Sequence, residues 1–282
     1  MMSSVEREVG PSAERATGPF GGIPRSRVGG VKTVDGLVAP LGEVCDLSGS
    51  TDAGFTQLPD PATALVLRVT PEGEGDLLVV GPRTRASYHT GKPLPVCLRF
   101  RLRPGVTRPV LGVPVGELVD RVTPLADLWG AAGARLERRL LGLGGAPELI
   151  AGQLAAALRS RLDAHPFQEP SRALLIADAA EILSRRGPAR LPDLAHRLSV
   201  SERHLRRLLT EDLGLPPKSY ARISRVRRAL ADGRRGDPAT LARLAAATGY
   251  YDQSHMAAEF RSMVGVPPGA FFAGRLPTPG PC

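Results

Sequence analysis

Gly249-Tyr250-Tyr251-Asp252-Gln253-Ser254-His255-Met256-Ala257-Ala258-Glu259-Phe260-Arg261 is the stretch that decides the fold of the C-terminal region. Glycine reaches positive φ at no steric cost, so Gly249 suits the end of a helix. Asp252 is a good N-cap for the next one. Met256, Phe260 and Met263 then recur at helical spacing and form one inner stripe. Upstream, Thr240 suits a cap, and Leu241, Leu244 and Ala245 form the inner side of a shorter helix. The pattern over 241–263 predicts a short apolar helix, a tight turn at Thr248–Tyr251 and a second helix whose far face is free. Those are the parts of a helix-turn-helix.

The same logic recurs upstream, over 191–210. Pro192 and Asp193 suit the first turn of a helix. Leu194, Ala195 and Leu198 point inward, Ser199-Val200 makes the turn, and Ser201 caps a helix from Glu202 to Thr210. Leu205, Leu208 and Leu209 form its inner side, and Arg203, Arg206 and Arg207 its outer side. Before the turn the two segments align at an offset of 50 (Leu191 with Leu241, Ala195 with Ala245, Val200 with Tyr250). After one extra residue the offset is 51 (Ser201 with Asp252, Leu205 with Met256, Leu209 with Phe260). A helix over Lys218–Ala231, loaded with Arg222, Arg225, Arg227 and Arg228, joins them.

Charge is placed unevenly. The 282 residues carry a net +9, of which residues 168–282 hold +7 and residues 1–167 only +2. A basic C-terminal half is consistent with an anionic partner such as nucleic acid. The first half reads differently. Ala64–Thr70 and Asp76–Val80 read as strands around a turn at Pro71–Gly75. In Val96–Arg103, Val96, Leu98, Phe100 and Leu102 share one strand face, and Cys97, Arg99, Arg101 and Arg103 the other. The arginine face is either solvent-exposed or the wall of an anion-binding pocket, which makes Arg99 and Arg101 the candidate ligand-binding residues. Helical texture begins near Pro124. Leu149, Ile150, Leu154, Leu158 and Leu162 read as one stripe, packed within the chain or used as a dimer seam.

The expected fold is α+β in two domains: a flexible leader over 1–36, a β-rich N-terminal domain over 37–130, a helical connector over 131–167, an all-α domain over 168–275 and a tail over 276–282. Cys45, Cys97 and Cys282 lie too far apart for a disulfide framework or a zinc finger, so no metal or cofactor is expected. No apolar run reaches membrane-span length and the first 30 residues lack the apolar stretch of a signal peptide, so a cytoplasmic location is expected.

Residues 249–261, followed by Gly265-Val266-Pro267-Pro268-Gly269-Ala270-Phe271, resemble the signature of AraC/XylS-type transcriptional regulators. Ser201–Gly214 with Tyr220 and the arginine-rich helix resembles the first half of the same domain, over about Ser171–Ala273 in all. Pro104-Gly105 and Val113-Pro114 through Trp129-Gly130 resemble the β-rich N-terminal domain of one subgroup. The resemblance implies a sequence-specific DNA-binding regulator, an activator more often than a repressor, with an N-terminal domain that senses a small molecule or dimerises. It places base reading on Arg203, Arg206 and Arg207, since arginine bonds guanine O6 and N7 together. The second helix offers Gln253, Ser254 and His255, because Ala258 stands where an arginine is common in the family. Ser201, Arg225, Arg228 and Arg261 are candidate phosphate contacts. Double-stranded DNA is the expected partner. RNA polymerase, a small-molecule effector and a second copy of the chain are further partners to expect, and a membrane is not.

Rival readings are an enzyme, a ligand-independent regulator and a non-specific architectural protein. Gly91-Lys92-Pro93 departs from a phosphate-binding loop, and Gly142-Leu143-Gly144-Gly145 lacks the dinucleotide pattern. No catalytic residue is therefore expected. An architectural protein needs basic charge without a tuned recognition helix.

Overall fold

Alternating apolar residues build the N-terminal domain from strands. A computed structural model describes residues 41–48, 55–91, 94–164, 170–185, 190–234 and 240–280. The leader expected over 1–36, most of the linker read at His165–Pro170, and Cys282 lie outside the described residues. The strands are β1 (Gly42–Asp46), β2 (Phe55–Gln57), β3 (Ala64–Val69), β4 (Gly75–Val80), β5 (Ser87–His89), β6 (Val96–Leu102) and β7 (Val122–Pro124). Five form an antiparallel sheet in the order β1-β6-β3-β4-β7, and β2 pairs with β5 in a separate ribbon. The two strands read upstream of β6 pair in register, Leu65 with Val79 and Leu67 with Leu77. β1, β2, β5 and β7 are short additions that local pattern did not reveal.

The period of two decides the faces of the sheet. Val44, Phe100, Leu65 and Val79 form one cross-strand row, and Leu98, Leu67 and Leu77 the next. All are buried in one core. That core is closed by α1 (Thr107–Leu111), α2 (Leu125–Trp129), α3 (Ala131–Leu141) and α4 (Pro147–Ala164) through Leu111, Leu125, Leu136, Leu140, Ile150, Leu154 and Leu158. The described part of 131–167, expected as a connector, thus lies against the sheet and shares its core. The expected stripe on α4 needs one correction. Leu149 is 60% exposed, because at 100° per residue it sits beside Ile150 and off the buried line 150–154–158.

The C-terminal domain is all helical: α5 (Pro170–Ser184), α6 (Leu191–Arg197), α7 (Glu202–Leu213), α8 (Pro217–Arg234), α9 (Leu241–Thr248), α10 (Gln253–Val264) and α11 (Pro268–Phe272). Its core runs through Ile176, Leu205, Leu209, Ile223, Val226, Leu244, Met256, Phe260 and Phe271. The fold is therefore a β-rich N-terminal domain followed by a helical domain with two helix-turn-helix units. None of the described helices is long and apolar enough to cross a membrane.

Three of the ties between the two domains, among the described residues, bear on the site. A short 3-10 turn at Val115–Leu118 packs on α7, where Arg108 lies 3.4 Å from Glu211. Ala86 N–H donates to Met263 O at 2.7 Å, and Tyr88 Oη–H donates to Val264 O at 2.6 Å, both at the end of α10. The third tie is Asp60, 1% exposed, which meets Arg99 (2.9 Å) and Arg101 (3.1 Å) of β6 and Arg227 (2.9 Å) of α8. The carboxylate that faces the two β6 arginines is thus one of the chain's own. Burial pushes the Asp60 carboxyl up, but the guanidinium groups of Arg227, Arg101 and Arg99 outweigh it and hold it below the usual carboxylate range.

Candidate nucleic-acid interface

The two helix-turn-helix units share a turn geometry down to single hydrogen bonds. Ser199 (φ 53°) and Gly249 (φ 84°) occupy the same left-handed position. One residue later, Val200 N–H donates to Ala195 O and Tyr250 N–H donates to Ala245 O, each at 3.0 Å. Ser201 Oγ accepts from His204 N–H at 3.2 Å, and Asp252 Oδ1 accepts from His255 N–H at 2.7 Å, so each recognition helix starts with a side-chain cap. The extra residue that shifts the offset from 50 to 51 is Tyr251, which is 93% exposed at the entrance to α10. Sequence reading placed it in the turn and gave it no role, although the broken offset marked the spot.

Capping fixes which side of each helix is free. Leu205, Leu208 and Leu209 hold α7 to the core, which turns Arg203, Arg206 and Arg207 outward, all exposed. Arg203 and Arg206 make no side-chain hydrogen bond or ion pair among the described residues. Arg207 is steadied by His204 Nδ1 at 3.2 Å and lies 4.0 Å from Glu211. On α10, Met256, Phe260 and Met263 face inward, and Gln253, Ser254, Ala258 and Arg261 are exposed. His255 is partly engaged by its own chain. Its ring meets Tyr250 edge-on at 5.4 Å, and its Nε2 lies 3.8 Å from Glu259.

Between the two recognition helices lies a groove of about 790 Å³, bounded by Arg206 of α7 and by His255 and Ala258 of α10, with α8 beneath it. Arg185, Arg206, Lys218, Arg222, Arg225 and Arg228 line it against the single carboxylate of Glu259. Glu259 is itself neutralised, since Arg222 Nε–H donates to it at 2.7 Å and Arg225 lies 3.6 Å away. Arg225 also covers the Tyr250 ring at 5.3 Å. Arg228 donates to the Ser184 carbonyl. Arg225 and Arg228 therefore help hold α8 to its neighbours as well as lining the groove. The surplus of positive charge suits an anionic partner such as a phosphate backbone.

Residues 194–274 match the family described as a helix-turn-helix domain. A search of curated proteins gave no match. Among solved structures, ToxT from Vibrio cholerae O395 aligns with 82% of this chain and 96% of that chain at 10% identity, with a TM-score of 0.41. Wild-type ToxT of Vibrio cholerae strain SCE256, with an unsaturated fatty acid bound, aligns with 82% of this chain and 94% of that chain, again at 10% identity and TM-score 0.41. Likeness at that level assigns no residue and no ligand to this chain. The matched span, the paired turns and the signature from Gly249 onward agree: residues 194–274 are a DNA-binding helix-turn-helix domain of the AraC type, the domain of a transcriptional regulator.

Proposed function

We propose that the protein is a sequence-specific transcriptional activator that inserts α7 and α10 into successive major grooves of one duplex face. The observation that carries this reading is the shared groove beside α8, to which α7 contributes Arg206 and α10 contributes His255 and Ala258, with a lining of six basic side chains. Arg203, Arg206 and Arg207 are the proposed base readers, each good guanine pair giving about 1–3 kcal/mol of discrimination. Gln253, Ser254 and His255 read less and anchor more. Ser201, Arg225, Arg228 and Arg261 hold backbone phosphates, and Lys218 and Arg222 join them in the groove. The chain acts by binding and not by catalysis. It works in the cytoplasm, with RNA polymerase as its downstream partner, as a monomer or a homodimer.

The test is selection of full-length protein on a random duplex library at near-physiological salt. A single motif about two helical turns long, with guanines concentrated in one half, supports the reading. Binding without a motif that fades uniformly as salt rises favours an architectural protein.

The N-terminal domain is proposed to sense a small molecule. Arg99 and Arg101 favour this reading, because they share one buried aspartate with a helix of the DNA-binding domain.

A further inference from the structure

The two helix-turn-helix units part company at one inward-facing position. The offset of 51 that pairs α7 with α10 sets Leu208 against Glu259. Both are buried, at 3% and 6% exposed. A carboxylate in a leucine's place carries a desolvation cost that only a close partner offsets. The same offset sets Arg203, Arg206 and Arg207 against Ser254, Ala257 and Ala258. At those positions α10 has no cation where α7 has three.

Arg222 links the two departures in space. It rises from α8, and its Nε–H donates to Glu259 Oε1 at 2.7 Å. Its guanidinium is thus held at the α10 wall of the groove, which Arg222, His255 and Ala258 line together. The side chain is still 36% exposed, and its two terminal nitrogens meet no acceptor among the described residues. A guanidinium is planar, so a bond at Nε to a buried acceptor limits where Nη1 and Nη2 can point. Those groups can bond two oxygens of one phosphate together. Arg225 differs. It lies 3.6 Å from Glu259 Oε2, is 20% exposed and covers the Tyr250 ring, so it serves mainly to brace α8 against α10. His255 Nε2, 3.8 Å from Oε1, completes the surroundings of the carboxylate.

We propose that Glu259 is a positioning residue for DNA binding: it holds Arg222 so that α8 supplies, at the α10 side of the groove, a phosphate contact that α10 itself lacks. This rests on the DNA-binding reading and assigns the groups that anchor its second half. Charge alone predicts the opposite effect. Removing a carboxylate from a basic groove would tighten binding to a polyanion. Loss of positioning weakens it, so the sign of the change tells the two apart.

Duplex Kd is measured by fluorescence anisotropy over a salt series, with full-length protein and the motif that wild type selects. Arg222→Ala and Glu259→Gln are each expected to weaken binding about threefold to tenfold. Arg222→Ala is also expected to lower the slope of log Kd against log salt by about one. The double variant is expected to bind no more weakly than Arg222→Ala, because Glu259 acts through Arg222. Arg222→Lys keeps the charge but not the planar fork, and is expected to bind like Arg222→Ala. Wild-type or tighter binding by Glu259→Gln, losses that add in the double variant, or wild-type binding by Arg222→Lys overturns the proposal. If Glu259→Gln does not fold, the two Arg222 variants decide, and wild-type affinity in either one overturns it. A wild-type protein that selects no motif sinks the DNA-binding reading and this proposal with it. A selected motif with unaffected variants sinks the proposal alone.

Discussion

Asp60 Oδ2 lies 2.9 Å from Arg227 Nη1, and this contact crosses from the loop before β3 to the helix that joins the two DNA-reading units. Asp60 is almost wholly buried, whereas the three arginines around it keep roughly a third of their side chains in solvent. Removing the carboxylate leaves guanidinium groups facing one another across the domain boundary. Asp60→Asn is therefore expected to destabilise the chain by roughly 1–3 kcal/mol, below the cost for a fully dry ion pair because the arginines are partly screened. Urea unfolding of the two proteins at pH 7 measures it. An unchanged midpoint would show that the tie adds nothing.

The same carboxyl sets a pH dependence. Its folded pKa lies below the ordinary value of 3.8, so its stabilisation is fully present above that value and is lost as pH falls through the folded pKa. Wild-type stability is expected to drop as pH falls below about 4 more steeply than that of Asp60→Asn. Parallel melting curves for both proteins across that window are the check. Parallel loss would assign the acid sensitivity to other carboxylates.

Arg206 and His255 sit on opposite walls of one groove with different freedom. The Arg206 side chain makes no hydrogen bond or ion pair among the described residues, while His255 leans on Tyr250 and Glu259. Arg206→Ala is expected to cost about 1–3 kcal/mol on the selected duplex and to relax base preference in one half-site. His255→Ala is expected to cost less and leave preference intact. Fluorescence anisotropy on the selected duplex and its single-base variants separates them. Equal losses with equal relaxation would disprove the asymmetry.

Tyr251, nearly fully exposed, packs against little, so Tyr251→Ala is expected to leave Tm within a degree or two. Its place at the entrance to α10 predicts weaker DNA binding by a factor of about three to ten, as for loss of one backbone contact. Melting and anisotropy on one preparation test both halves. Asp252→Ala, next to it, is expected to cost about 1 kcal/mol of stability through loss of the cap.

Gly214 ends α7 at φ 72°, and a Cβ there would lie 2.8 Å from the Val115 carbonyl oxygen. Gly214→Ala is expected to destabilise by more than about 1 kcal/mol, combining a strained backbone with a push against the 3-10 turn. Amide hydrogen exchange is expected to rise along Val115–Leu118. Exchange confined to α7 would show that the turn does not depend on this approach.

The helical domain was readable because its signals are local. Ser201 and Asp252 announce caps, Gly249 a turn, and the apolar stripes repeat every three or four residues. Strand β6 was readable for the same reason. Asp60 was not, because nothing beside it in sequence forecasts three arginines from residues 99, 101 and 227. The arginine face of β6 was open to two readings for that reason, and the structure gives it a neighbour from its own chain. Leu149 misled because an apolar residue adjacent to a buried stripe looks like part of it. The ties through Met263 O and Val264 O use backbone carbonyls at a helix end, which side-chain pattern does not report.

The N-terminal domain touches α7 through Val115–Leu118, α8 through Asp60, and the end of α10 through Ala86 and Tyr88. These contacts are expected to constrain the separation and angle of α7 and α10 like a jig. On the proposed DNA-binding reading, operator spacing becomes a property of the whole chain and not of its helical half alone. A chimera that keeps α5–α11 but exchanges the β-rich half should recognise the same bases at a different tolerance for the gap between them.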